Sequence, residues 1–131
     1  MSRLLYLVPV RVLAAVAVTA VFSLVWRMGP DDGGANIGAG LLLFATIWAG
    51  CLVWSLFDAR RHGFAISLTA WSIVALVIGA GFPFSIALID GEWDSEILRT
   101  DLAVFIPMML FSMVPLAAVG AAVGQATRKQ A

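Results

Sequence analysis

The chain has 131 residues, 62% hydrophobic and 12% charged, with eight basic side chains balanced by eight acidic ones. A water-soluble domain of this size needs far more polar surface to cover its core, and zero net charge leaves no field that would gather nucleic acid. A mean hydropathy of +1.00 points instead to a chain dissolved mostly in lipid.

The first apolar segment is the shortest. Residues 12–26 are uncharged and bounded by Arg11 and Arg27. At about 1.5 Å per residue this core falls short of the roughly 30 Å of bilayer hydrocarbon. Arginine stems that reach up to both headgroup layers complete the span. The predicted helix covers 9–26, with Pro9 in its first turn, where a missing N–H costs nothing. Arg3 followed by apolar residues and small ones near Ala20 also fits a signal peptide. Arg11 interrupts the hydrophobic region such a peptide requires, so the segment is expected to stay as a helix.

Three further stretches, 33–57, 63–89 and 102–127, contain no charged residue. Each exceeds the roughly 18–20 apolar residues a crossing needs. Gly29, Pro30, Gly33 and Gly34 punctuate an outer loop 27–36, and Asn36 is a suitable N-cap for a helix 37–57. A compact turn, Asp58-Ala59-Arg60-Arg61-His62, forms with Gly63 an inner loop 58–63 ahead of a helix 64–89. Gly79, Gly81 and Pro83 predict that this helix breaks or ends near Gly81, leaving 84–89 along the outer interface. An outer loop 90–101 and a helix 102–125 complete the chain. The expectation is an all-α integral membrane protein, one membrane domain over 1–131, with four transmembrane helices in an up-down bundle. No internal repeat is visible.

Basic residues set the orientation. With the N-terminus inside, Arg3, Arg11, Arg60, Arg61, Arg128 and Lys129 fall on the cytoplasmic side, and Arg27 and Arg99 outside. That is a positive-inside bias in loops short enough to count. Both termini are therefore expected in the cytoplasm, across a bacterial-type cytoplasmic membrane. Trp26 and Trp93 would lie near the outer interface and Trp54 near the inner one, while Trp48 and Trp71 sit deeper.

In lipid, helices associate through close-packed small residues and interhelical hydrogen bonds. Ala15, Thr19 and Ser23 recur at four-residue spacing in line with Arg11 and Arg27. Thr46 and Gly50 continue to Trp54 and Asp58; Ala75 and Gly79 lie beyond Trp71; Gly120 and Gly124 form a GxxxG beside Ala117 and Ala121. These stripes hold the bundle together, or one of them, Gly120/Gly124, faces a helix of another subunit. Pro107 and Pro115 each remove a hydrogen bond and are expected to kink the fourth helix, with Ser112 able to bond a freed carbonyl. Met108, Met109 and Met113 surround them, the lining of a gate or an irregular packing surface.

Chemistry is sparsely represented. Intramembrane catalysis and proton relays need ionisable residues within the helices, and these segments hold almost none. His62 is the single histidine and lies in a predicted loop, which rules out bis-histidine haem ligation and leaves a Ser-His-Asp arrangement without geometry. No set of ligands for zinc converges. The single cysteine, Cys51, reads as a small packing residue. In the outer loop, Asp90, Glu92, Asp94, Glu96 and Asp101 occupy positions 1, 3, 5, 7 and 12 of an EF-hand-like frame. Ser95 replaces its glycine and the bidentate glutamate is missing, so a solvated loop with Asp94 or Ser95 as helix cap is the simpler reading. Arg60 and Arg61 are expected to contact anionic lipid headgroups, and Arg11 to pair with Asp58.

The sequence therefore points away from an enzyme, and no cofactor or metal is expected. Partners are membrane lipids and other membrane subunits or further copies of the chain, with no nucleic acid. The leading expectation is a non-catalytic accessory, assembly or regulatory subunit of a larger membrane complex or homo-oligomer. The alternative is a small oligomeric transporter or channel. Its polar stripe would run through Arg11, Thr19, Ser23, Thr46, Ser67 and Ser72, with Pro107 and Pro115 as a gate. A third reading uses the acidic loop as a sensor.

Overall fold

A computed structural model describes residues 2–27, 37–91 and 93–128. It is all-helical over these residues: α1 (Ser2–Arg27), α2 (Ile37–His62), α3 (Phe64–Asp90) and α4 (Ser95–Arg128). The segments Gly40–His62, Phe64–Ser85 and Ser95–Arg128 are long and apolar enough to cross a membrane, whereas the apolar part of α1, Tyr6–Phe22, is shorter. Large apolar side chains cover the outside, among them Leu13, Leu24, Leu41, Leu88, Val104 and Phe111.

The helices are longer than the sequence pattern implied, and the predicted loops shrink accordingly. α1 starts at Ser2, not at residue 9, so Pro9 lies inside the helix. Leu4, Leu5, Leu7 and Val8 continue the apolar run, and one missing hydrogen bond at Pro9 is a smaller loss than leaving their backbone groups unpaired. The predicted turn at 58–62 is helical to His62, because Arg60, Arg61 and His62 complement the negative end of the helix dipole in the last turn. Gly63 alone connects α2 to α3, with φ 90° and ψ 163°, a conformation that a side chain would strain. Its amide donates to the Ala59 carbonyl (2.9 Å).

The break predicted near Gly81 does not occur. α3 continues through Pro83 to Asp90 and ends on Gly91 in the left-handed conformation (φ 69°). Packing on α4 supports the continuation. Pro83 is fully buried, the Phe82 and Phe105 rings lie 5.0 Å apart, and Gly79 presses against Ile106 so closely that a Cβ would stand 2.9 Å from its Cα. α4 begins at Ser95, seven residues before the predicted start. There Asp94 caps it, its Oδ1 accepting from the amides of Glu96 (2.8 Å) and Ile97 (3.4 Å). The helix is unbroken through Pro107 and Pro115, both of which face outward. Ser112 donates to the Met109 carbonyl (3.3 Å). That lies three residues back, as is usual for a helical serine, and is not the Phe111 carbonyl that Pro115 leaves. The first predicted loop, including Gly29, Pro30, Gly33, Gly34 and Asn36, lies outside the described residues.

α4 packs most extensively, against both α2 and α3, whereas α1 packs sparsely against α2 and α3. Neighbours in sequence run antiparallel, and α2 and α4 run parallel, since Gly120 meets Leu52 and Gly124 meets Leu56. The core comprises Cys51, Trp71, Val74, Ala75, Met109, Met113 and Ala117. Two of the three methionines near the α4 prolines are thus core residues, and Met108 faces outward.

Candidate functional site

The charged centre of the bundle is built from α1, α2 and α3. Arg11 and Asp58 are 4% and 3% exposed. Arg11 Nε donates to Asp58 Oδ2 (2.8 Å), Nη2 donates to Asp58 Oδ1, and Nη1 donates to the Leu7 carbonyl one turn back in α1. Trp71 Nε1 adds a donor to Asp58 Oδ2 (3.2 Å) from α3. The Trp54 ring lies 5.2 Å from the guanidinium carbon and meets Trp71 edge-on at 6.3 Å. This is the fork-to-fork geometry that a buried ion pair needs if attraction is to offset desolvation. It leaves neither carboxylate oxygen unoccupied. Chemically the arrangement is a neutral clamp that fixes the sparsely packed α1 to the α2–α3 hairpin.

The spacing that produces the clamp is helical. Trp54 and Asp58 are one turn apart on α2 and extend the row of Thr46 and Gly50. That row and the α1 row of Arg11 and Ala15 line one cavity of about 90 Å³. The two rows face each other without closing. Thr46 and Gly50 are exposed, and a Cβ on Gly50 would meet nothing within 4 Å. The hydroxyls of the expected polar stripe turn to backbone carbonyls: Thr19 to Ala15 (2.9 Å), Thr46 to Leu42 (2.8 Å) and Ser72 to Leu68 (2.9 Å). Ser67 donates across the hairpin to the Ser55 carbonyl (3.0 Å). The side chain of Ser23 lies outside the described residues.

The other glycine rows close tightly. A Cβ on Gly120 would overlap the Leu52 carbonyl oxygen and Ser55 Oγ, and one on Gly124 the Leu56 carbonyl oxygen. The GxxxG of α4 is therefore covered by α2 of the same chain. Ala75 is fully buried in the core, and Cys51 lies there too, its thiol 3.5 Å from the Met113 carbonyl.

At the Gly63 end of the bundle the two arginines part. Arg60 turns to α4, donating to Thr127 Oγ1 (2.9 Å) with its guanidinium 5.9 Å from the Phe57 ring. Gln125 of α4 accepts from the Phe64 amide (3.0 Å) and so caps α3. Arg61 instead borders a groove of about 460 Å³ between α1 and α2, together with Tyr6, Asp58 and His62. Among the described residues, Nδ1 of His62 is shielded and has no hydrogen-bond partner. At the opposite end, the side chains of Asp90 and Glu92 from the acidic frame lie outside the described residues. Among the described residues no three His, Cys, Asp or Glu side chains converge as metal ligands.

Reading the sequence missed Trp71 as a partner of Asp58, the Ser55–Ser67 link and the Gln125 cap. Trp71 carries one weak signal: it lies seven residues after Phe64 and Asp58 four residues before His62, so a tight Gly63 hairpin brings them to similar depth. Compared with known proteins, the chain matches no family model, no curated protein and no solved structure.

Proposed function

We propose that this chain is a non-catalytic, multi-pass membrane subunit with an accessory, assembly or regulatory role in a larger complex or homo-oligomer. It spans a bacterial-type cytoplasmic membrane four times with both termini in the cytoplasm. Three long apolar helices and an outward-facing apolar surface support the membrane setting. α1 completes the fourth crossing by its 26-residue length, about 39 Å of helix, with Arg3 and Arg27 towards its ends. The basic residues Arg60, Arg61 and Arg128 cluster at the Gly63 end, which suits the cytoplasmic face.

The observation that carries the non-catalytic reading is the self-satisfaction of the polar groups. Arg11 and Asp58 neutralise one another, and Thr19, Thr46, Ser67 and Ser72 donate to carbonyls. A permeation path needs polar groups free to meet water or substrate; here these groups are bonded to the protein itself. The clamp makes the bundle a rigid unit that offers its outer faces to neighbours.

The test is extraction in mild detergent followed by native mass spectrometry, with flux assays on the purified chain in liposomes. The accessory role predicts co-purification with other membrane polypeptides in fixed ratio, or a silent homo-oligomer. A closed homo-oligomer that conducts ions or solutes by itself contradicts it and supports the transporter reading.

A further inference from the structure

We propose that the groove between α1 and α2 is a binding site for one anionic phospholipid. Its phosphate lies beside Arg61 and His62, and an acyl chain runs along Gly50 and Thr46. The proposal rests on the membrane setting above and is independent of the accessory role.

Three observations converge on this occupant. First, two adjoining spaces are graded in character. Arg11 and Trp54 line both the groove of about 460 Å³ at the Gly63 end and the cavity of about 90 Å³ deeper in the bundle. The outer part is bordered by Tyr6, Arg61 and His62, and the deeper part by Ala15, Thr46 and Gly50. A headgroup followed by a chain has this order. Second, the charge is positive where a phosphate would sit. Asp58 borders the groove, but its carboxylate is held by Arg11 and Trp71. Arg61 is exposed and makes no hydrogen bond or ion pair with the described residues. Its guanidinium is a donor awaiting an acceptor. Third, the length fits. Eleven residues of helix separate Arg61 from Gly50, about 16 Å, close to the half-thickness of the hydrocarbon layer that one acyl chain traverses.

The decisive feature is the separation of the two arginines. Arg60 is turned away to Thr127, so bulk attraction to an anionic surface would depend on both arginines alike, whereas the groove depends on Arg61.

The experiment reconstitutes the protein in nanodiscs of equal parts phosphatidylglycerol and phosphatidylcholine, transfers it to mild detergent and counts retained lipids by native mass spectrometry. The wild type is expected to keep one phosphatidylglycerol per chain in preference to phosphatidylcholine. Arg61→Gln should lower that retention about fivefold, while Arg60→Gln leaves it unchanged. Gly50→Leu, which places a side chain where no atom lies within 4 Å, should displace the lipid with the helix content intact by circular dichroism. Glycerol phosphate, which carries no chain, should fail to compete. Equal retention of both lipids by the wild type overturns the proposal even if every variant misfolds. So does an equal loss in Arg60→Gln and Arg61→Gln, full retention in Gly50→Leu, or competition by glycerol phosphate. A chain that stays dispersed without detergent refutes the membrane setting itself; one that needs detergent yet keeps no lipid refutes only this site.

Discussion

The guanidinium of Arg11 and the carboxylate of Asp58 meet fork to fork inside the bundle, 47 residues apart in the chain. Because both are buried, each is tolerable only in the presence of the other. Arg11→Leu strands an acid, and Asp58→Leu strands a base. Each single change should lower unfolding stability by about 3–5 kcal/mol, whereas the double variant should return to within about 1 kcal/mol of the wild type. Unfolding midpoints in mixed detergent micelles check this. Additive losses in the double variant would show that the two side chains act separately.

Trp71 supplies the third donor to the same carboxylate, from α3. Trp71→Phe keeps an aromatic ring and removes the N–H. The expected loss is about 1–2 kcal/mol in wild type and close to none in the Asp58→Leu background. A similar loss in both backgrounds would assign Trp71 to packing alone.

Glycine substitutions should separate the two sides of α2. Leucine at Gly120 or Gly124 would overlap backbone atoms of Leu52 or Leu56, and should cost at least about 1–3 kcal/mol. Leucine at Gly50 meets open space and should be tolerated in the same thermal assay. Tolerance at Gly120 would mean that α4 does not lie against α2.

The single-residue connection between α2 and α3 depends on positive φ at Gly63. Gly63→Ala is expected to reduce stability by about 1–3 kcal/mol through backbone strain, although open space surrounds the position. An unchanged melting temperature would indicate a looser connection.

The helices themselves were readable in the sequence, because uncharged runs such as 63–89 admit no other economical structure in lipid. The Arg11–Asp58 meeting was also readable, from two opposite charges placed near the same end of adjacent segments. Helix ends were not. The turn predicted at 58–62 and the break predicted at Gly81 both rested on local propensity, and tertiary contacts override it: Asp58 is held by Arg11 and Trp71, Pro83 by burial against α4. Nor could spacing decide which rows of small residues close. Gly120 and Gly124 meet α2, whereas Gly50 meets nothing, a difference set by how far α1 stands from its neighbours. Arg60 and Arg61 looked equivalent because they are adjacent, yet one residue on a helix turns a side chain by about 100°. That turn sends Arg60 to α4 and Arg61 to the groove between α1 and α2.

Labelling of single cysteines with a membrane-impermeant maleimide, in a Cys51→Ser background, tests the four-span account most directly. Asp31→Cys and Asp94→Cys should react in intact cells, and Ser2→Cys and Arg128→Cys only after the membrane is opened. Labelling of Ser2→Cys from the same side as Asp31→Cys would show that α1 does not cross, and labelling of all four from one side would contradict the account altogether.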